Sequence, residues 1–214
     1  MAERYATFDC YGTLIDWNGG IRRELARIFG DAQADAQLRR YHELEPRLED
    51  DGKLSYREVT TEALRRLGAP EGEETALADS LPTWQPFPEV PAALEEARAR
   101  GWKLAILSNT DRDFIDASIE RIGVPFELAI VASEIGSYKP GHRHWQTFFD
   151  RSGASREGHV HVAASLFHDV APANELALRT IWINRLGEQP PPVPTRELAD
   201  LARLPETLDE LVPA

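Results

Sequence analysis

Apolar positions along the chain follow two different rules. Between 21 and 29 they recur at helical spacing, as Ile21, Leu25, Ile28 and Phe29, with Asn18-Gly19-Gly20 as the entry. Residues 33–49 read as a second, highly charged helix, expected to kink or end near Pro46. A third helix runs from Leu54 to Leu67, with Ser55 as its N-cap and Gly68 as its stop. A weaker helical pattern covers 71–80. The stretch from about 16 to about 83 therefore reads as helical and free of strands.

On either side of it the apolar residues form short unbroken blocks. These are Ala6-Thr7-Phe8, Trp102–Leu107, Leu128–Val131, His159–Ala163 and Thr180–Ile183. Helical patterns separate the later blocks, at Pro91–Arg100, Asp113–Ile122, His142–Ser152 and roughly 170–178. Unbroken apolar strands alternating with helices imply βαβ units and a parallel sheet covered on both faces. Pro82, Pro86, Pro88 and Pro91 mark a linker into this region, and the run from Gln189 to Pro194 reads as an exposed spacer. Helices are expected over 196–203 and 205–211. The reading is an α/β core, residues 1–15 and 84–214, interrupted after its first strand by a helical unit at 16–83.

Charge narrows the function. The 214 residues carry 24 Lys and Arg against 36 Asp and Glu, a formal charge of −12. With no basic block, such a chain is a poor ligand for a phosphate backbone or an anionic membrane. The single cysteine, Cys10, excludes an internal disulfide and a cysteine-based zinc cluster. No apolar run approaches the roughly 20 residues of a membrane span. The start, Met1-Ala2-Glu3-Arg4-Tyr5, is polar and unlike a signal peptide. A cytoplasmic protein acting on a small molecule, without nucleic acid or membrane, is the expectation, and a homodimer is compatible with it.

In open parallel sheets the chemistry sits beyond the carboxyl ends of the strands. Asp9 and Thr13 follow the first strand, and Ser108 and Asn109 the second. Lys139 comes a few residues after the third, and Ser165 and Asp169 after the fourth. A lone Asp after a strand is an ordinary turn or cap residue. Complementary polar groups at four strand ends of one edge are not explained by capping.

At these residues the sequence resembles the haloacid dehalogenase superfamily over nearly its whole length. Phe8-Asp9-Cys10-Tyr11-Gly12-Thr13-Leu14 is similar to that family's first motif and Leu107-Ser108-Asn109 to its second. Lys139-Pro140 matches the third and Ser165 with Asp169 the fourth. The Asp-x-Tyr-Gly-Thr form looks like the branch of L-2-haloacid dehalogenases. The resemblance implies a Rossmann-like core under a helical cap. It also implies that Asp9 is the nucleophile, with Thr13, Ser108, Asn109 and Lys139 holding it and the substrate, and that Asp169 helps activate water.

Tyr11 stands where most phosphatases of the superfamily carry a second Asp. Expelling an alkoxide from phosphorus needs an acid, worth about 10²–10⁴-fold, and a phenol with pKa near about 10 is a weak substitute. Halide leaves as a stable anion, so Tyr11 argues for displacement at carbon. If the chemistry were phosphatase-like, Asp9 and Asp169 would be the Mg²⁺ ligands; if dehalogenase-like, no cofactor is required. Where dehalogenases of the family carry Ser-Ser-Asn-Ala-Trp-Asp, this chain reads Ala164-Ser165-Leu166-Phe167-His168-Asp169. The tyrosine six residues after the lysine is replaced by Trp145. The family also places a halide-receiving arginine on the cap, for which Arg40 is the best-aligned residue and Arg39 the next.

Tyr11, Arg40, Ser165 and His168 are therefore the candidate substrate-binding residues. The His159-x-His161 and His142-x-His144 pairs lack further ligands and read as surface or supporting histidines. Cys10 reads as a small buried residue. The leading expectation is hydrolytic dehalogenation of small 2-haloalkanoic acids through an aspartyl ester. A Mg²⁺-dependent phosphatase of small phosphate esters comes second. A non-catalytic binding protein on the same scaffold comes third, and the joint presence of Asp9, Lys139 and Asp169 argues against it.

Overall fold

The computed structural model describes residues 3–49 and 53–214. Its strands are β1 (Arg4–Phe8), β2 (Trp102–Ser108), β3 (Leu128–Val131), β4 (His159–Ala163), β5 (Arg179–Ile183) and β6 (Arg196–Leu198). Between β1 and β2 lie α1 (Trp17–Phe29), α2 (Asp31–Glu49), α3 (Tyr56–Leu67), α4 (Ala76–Ser80), a 3-10 turn over Leu81–Thr83, and α5 (Val90–Ala99). α6 (Arg112–Ile122) joins β2 to β3, and α7 (Ala132–Ile135) with α8 (Arg143–Ser152) joins β3 to β4. A wide π turn over Leu166–Val170 leads into α9 (Ala171–Glu175), and α10 (Leu204–Leu211) follows β6.

The sheet has the order β3-β2-β1-β4-β5-β6, and each adjacent pair is parallel. β1 is central and buried along its length, as is β4, and their polar residues Thr7, His159 and His161 are buried with the apolar ones and hydrogen-bond one another. Successive side chains leave opposite faces. Ala6, Phe8, Leu104 and Ile106 feed one apolar layer, while Tyr5, Ala105, Leu107 and Ile130 feed the other against Trp145 and Phe148. The first layer continues into the inserted helices through Tyr41, Tyr56, Val59, Leu64 and Trp84.

The structure corrects one expected element. Residues 196–203 do not form a helix: Arg196–Leu198 is β6, paired with Ile181–Ile183 of β5. It is an edge strand with Arg196 and Glu197 exposed, so it carries no apolar block to announce it. The helix expected near 170–178 begins as the π turn at Leu166 and stops at Glu175. α2 runs through Pro46 to Glu49.

Asp16 caps α1 by accepting a hydrogen bond from the Gly19 amide at 3.0 Å, and Ser55 with Glu58 forms a capping box on α3. Gly20 lies under the buried Trp84 indole: a Cβ there would stand 2.3 Å from a ring carbon. Helix propensity alone favours Gly20→Ala by about 1 kcal/mol. The overlap outweighs it, and a net loss of about 1–3 kcal/mol is expected, read as a lowered midpoint in a thermal melt. The two chain crossings between sheet and inserted helices run side by side, with the Asp16 amide donating to Gln85 O at 2.9 Å and the Phe87 amide to Leu14 O at 3.0 Å.

Candidate active site

Asp9 follows Phe8, the last residue of β1, and the chain then turns sharply through Gly12, whose φ of 87° is in the left-handed region that suits glycine. The turn brings Thr13 back beneath Asp9, and its Oγ1 donates to Asp9 Oδ2 at 2.8 Å. The same Oγ1 accepts from the Ala164 amide at 2.9 Å, which ties the turn to the end of β4. Lys139 Nζ donates to Asp9 Oδ1 at 2.9 Å, to Asp169 Oδ1 at 2.7 Å and to Leu107 O at 2.8 Å. An ammonium has three donors, and all three are used. Asn109 fixes the lysine's backbone: its Oδ1 accepts from the Lys139 amide at 2.7 Å and its Nδ2 donates to Lys139 O at 2.9 Å.

Among the described residues, Ser108 Oγ and Asp169 Oδ2 in this buried cluster have no hydrogen-bond partner. Both residues line a cavity of about 700 Å³ together with Asp9, Tyr11, Asn109 and Lys139. A buried polar atom without a partner marks where a substrate atom or water can bind.

The charges are unequal. Burial alone would raise the Asp169 carboxyl, but the Lys139 charge and the hydrogen bond from His161 outweigh it and hold it far below the ordinary carboxylate range. Burial raises the Asp9 carboxyl above its ordinary value against the pull of Lys139. Burial also pulls the Lys139 ammonium down, yet Asp169 and Asp9 leave it net raised. Asp169 is thus the fixed anion and Asp9 the more basic of the two carboxylates.

Behind Asp169 runs a buried chain of hydrogen bonds. With Asp169 ionised, His161 Nε2–H donates to its Oδ1 at 2.9 Å. His161 Nδ1 then accepts from Thr7 Oγ1 at 2.8 Å, and Thr7 Oγ1 accepts from His159 Nε2–H at 2.8 Å. His144 Nε2 donates to Ser108 O at 3.1 Å. The paired histidines are thus supporting groups, except His142, which reaches Glu175 at 2.9 Å near the surface. Cys10 and Trp145 are fully buried, Trp145 edge-on to the His161 ring.

The structure brings Asp9, Tyr11, Ser108, Asn109, Lys139, Ser165, His168 and Asp169 to the one cavity, with Thr13 directly behind Asp9. Tyr11 lines it with its hydroxyl occupied by Ser118 Oγ at 3.0 Å, and burial raises its pKa well above that of a free phenol, making it a still weaker acid. Ser165 Oγ accepts from the His168 amide at 3.0 Å and meets His168 Nδ1 at 3.2 Å. Burial lowers His168 to about 4, so it is neutral at pH 7.

Arg40 is not at the site. It is exposed on α2 and donates to Gln37 Oε1 at 2.9 Å, and Arg39 is exposed as well. The face that α2 turns to the cavity instead carries His42, Glu45, Pro46 and Glu49. Residues four apart share a helix face, so a register that directs Glu45 and Glu49 inward turns Arg40 out.

Arg185 also lines the cavity and was not among the expected site residues. It lies beyond β5, a fifth strand end to which the same rule applies, and donates to Thr13 O at 2.9 Å and Glu89 Oε1 at 2.7 Å. Its guanidinium sits 3.6 Å from the Phe87 ring centroid.

A Mg²⁺ ion requires near-octahedral oxygen coordination. The position between Asp9 Oδ1 and Asp169 Oδ1 is filled by the Lys139 ammonium. Among the described residues no three of His, Cys, Asp and Glu converge to hold a metal. With the ammonium there, Asp9 Oδ1 and Asp169 Oδ1 are not open to the ion.

A model of the haloacid dehalogenase-like hydrolase family matches residues 4–174. The (S)-2-haloacid dehalogenase of Pseudomonas sp. (strain YL) is 31% identical over 191 residues, covering 84% of this chain and 82% of that protein. A solved L-2-haloacid dehalogenase superposes with a TM-score of 0.85 at 22% identity, covering 98% of this chain and all of the other at 100%. The Xanthobacter autotrophicus L-2-haloacid dehalogenase with chloropropionic acid covalently bound superposes with a TM-score of 0.80 at 20% identity, over 96% of this chain and 98% of that one.

Proposed function

The chain belongs to the haloacid dehalogenase-like hydrolase family, and on that premise we propose that it hydrolyses the carbon–halogen bond of small 2-haloalkanoic acids through an ester formed on Asp9. The observation that carries this reading is the state of Asp9. Its carboxylate is held at both oxygens, by Lys139 and Thr13, and no second acid stands beside it in the turn. A fixed carboxylate of raised basicity suits attack on carbon, where halide departs without a proton.

The roles follow from the geometry. Asp9 attacks the carbon bearing halogen, and halide leaves. Ser108 Oγ, buried and without a partner, offers its hydroxyl to the substrate carboxylate. Tyr11 walls the pocket, and Ser165 and His168 close it beside Asp169. Asn109 keeps Lys139 in register with Asp9. Water then attacks the carbonyl carbon of the Asp9 ester, and the free Asp169 Oδ2 orients it. Asp169 is too weak a base to remove a proton in the ground state, so it stabilises positive charge as it develops on the water. The helical unit at 16–83 acts as a cap that excludes bulk water from Asp9, and the paired crossings at 15–16 and 85–87 are its hinge.

With Lys139 in place of a dication, turnover requires no metal. A panel of 2-chloroacids and phosphate esters, run with and without a chelator, tests this. Halide release unchanged by chelator is the expected result. Phosphate release that vanishes with chelator and returns with Mg²⁺ would replace the reading with a phosphatase.

A further inference from the structure

An ester on Asp9 is useful only if water is then delivered to its carbonyl carbon, and the group assigned to orient that water is the Asp169 carboxylate. Its two oxygens are treated differently. Oδ1 takes two hydrogen bonds, from Lys139 Nζ at 2.7 Å and from His161 Nε2 at 2.9 Å. Oδ2 is buried and has no partner among the described residues. A carboxylate turns about its bond to Cβ, and a single donor on one oxygen leaves part of that rotation open. A second donor on the same oxygen, from a different element, sets the plane and reserves the other oxygen.

His161 is itself held. The pairing of β4 with β1 puts His161 beside Thr7 and His159 beside Tyr5. Thr7 Oγ1 lies 2.8 Å from His161 Nδ1 and 2.8 Å from His159 Nε2. A threonine hydroxyl has one proton to give. His159 donates to the Thr7 oxygen, so that proton points to His161 Nδ1. The ring's own proton is then on Nε2, the nitrogen that meets Asp169; the partner of one ring nitrogen fixes the state of the other. The buried Trp145 lies edge-on to the His161 ring, with centroids 5.2 Å apart. Thr7, His159 and His161 are all buried and none of them lines the cavity. Whatever His161 does for the reaction passes through Asp169.

We propose that His161, its tautomer set by Thr7 and His159, is a positioning residue for hydrolysis of the Asp9 ester and is not needed for the displacement that forms it. The proposal rests on the reading of Asp9 as a nucleophile toward carbon. The two half-reactions draw on different contacts. Displacement needs Asp9 in place, and Asp9 is held by Lys139 and Thr13. Lys139 keeps Asp9, Asp169 and Leu107 O as acceptors whether or not His161 is present, and Asn109 holds its backbone. Hydrolysis depends on the plane of Asp169. Leu166 lines the same cavity with a side chain that neither donates nor accepts, so it cannot take over the water.

The step balances without a proton moving on or off His161. The water oxygen bonds to the carbonyl carbon of the Asp9 ester, and the bond from that carbon to the substrate oxygen breaks. One water proton ends on that oxygen, giving the 2-hydroxy acid, and the other goes to solvent. The new oxygen stays in the Asp9 carboxylate.

The test is a rapid-mix experiment with 2-bromopropionate, in which bromide release reports displacement and the mass of the intact protein reports the ester. His161→Leu removes the donor at similar volume. It is expected to release a burst of bromide matching the enzyme present, at the wild-type rate, and then to stall with the ester in place, with kcat lowered about 10–100-fold, the usual cost of losing an orienting partner. His161→Gln carries an amide N–H at the place of Nε2 and should restore most of kcat. His161→Asn is one bond too short and should not. Thr7→Val keeps its shape, removes the hydroxyl and leaves His161 in place, so it should also accumulate ester, and it decides the matter if His161→Leu does not fold. A role in packing alone would slow both half-reactions together and would give Gln no advantage over Asn. No ester in His161→Leu or Thr7→Val, a burst slowed as much as the steady state, or no rescue by Gln would each overturn the proposal. Single turnover of the wild type in ¹⁸O water separates the two levels. If Asp9 is labelled and the variants hold no ester, only the role of His161 falls. If Asp9 is never labelled, both readings fall.

Discussion

Asp9→Asn is expected to fold and to release no product from any substrate. An amide nitrogen or oxygen is a far weaker nucleophile than a carboxylate, and losing the group proposed to form the ester should remove at least about 10⁴-fold in rate. Folding should survive because the substitution preserves shape and removes a charge whose neighbours include Asp169, Glu45 and Glu49. Lys139 keeps Asp169 and Leu107 O as acceptors. The decisive measurement is mass spectrometry of the Asp9 peptide after a single turnover of the wild type in ¹⁸O water. One labelled oxygen in the carboxylate identifies attack on the ester carbonyl. An Asp9→Asn protein with steady activity, not growing with time as deamidation would make it grow, would refute the role.

Lys139→Ala should cost both rate and stability. The side chain is 1% exposed and lies between two carboxylates. Removing one partner of a buried ionic cluster costs about 3–5 kcal/mol because the remaining charges stay buried and unpaired. The rate should fall by orders of magnitude, since Asp9 loses its orienting contact on Oδ1.

The stability deficit should depend on pH. The folded pKa of Asp169 is depressed, so its contribution is present above the unfolded carboxyl value and is lost as pH falls through the folded one. Without Lys139 the largest source of that contribution is lost and only His161 remains, so the melting deficit should be full near pH 7 and shrink in acid. Lys139→Arg should not restore activity. A planar guanidinium cannot place one nitrogen within 3 Å of Asp9, Asp169 and Leu107 O at once. A Lys139→Ala variant with wild-type turnover would remove lysine from the mechanism.

Much of this arrangement was legible in the chain. The largely buried strands β2, β3 and β5 carry apolar runs such as Leu104–Leu107, Leu128–Val131 and Ile181–Ile183, and the polar residues after the strands mark the edge where the candidate site lies. The parts that escaped notice share a cause. Glu45 and Glu49 sit on a helix rich in charge, and a charged helix reads as solvated. What buries them is Tyr41 on their own helix, Tyr56 on α3 and Asn109 after β2, partners that no local spacing reveals. Arg40 failed for the same reason in reverse, because alignment to a pattern fixes a position along α2 but not which side of it faces the sheet. β6 was hidden because an exposed edge strand needs no apolar residues. His161 was recognisable as a supporting histidine, but its contact with Asp169 follows only from the pairing of β4 with β1.

The central place of β1 has a consequence for how the chain becomes ordered. Arg4 pairs with Trp102 and Tyr5 with His159, so the middle strand of the sheet precedes both of its neighbours by long stretches of chain. As synthesis proceeds, β1 leaves the ribosome before any strand that can pair with it, and the inserted helices, held by local contacts, can form first. Closing such distant pairs makes folding slow relative to a chain of similar stability with local contacts. Until β2 and β4 arrive, β1 exposes an apolar segment with open hydrogen-bonding edges, the kind of segment through which nascent chains associate wrongly. The strand that leads into Asp9 is thus also the one whose partners arrive late, and the site cannot exist before the sheet is closed around it.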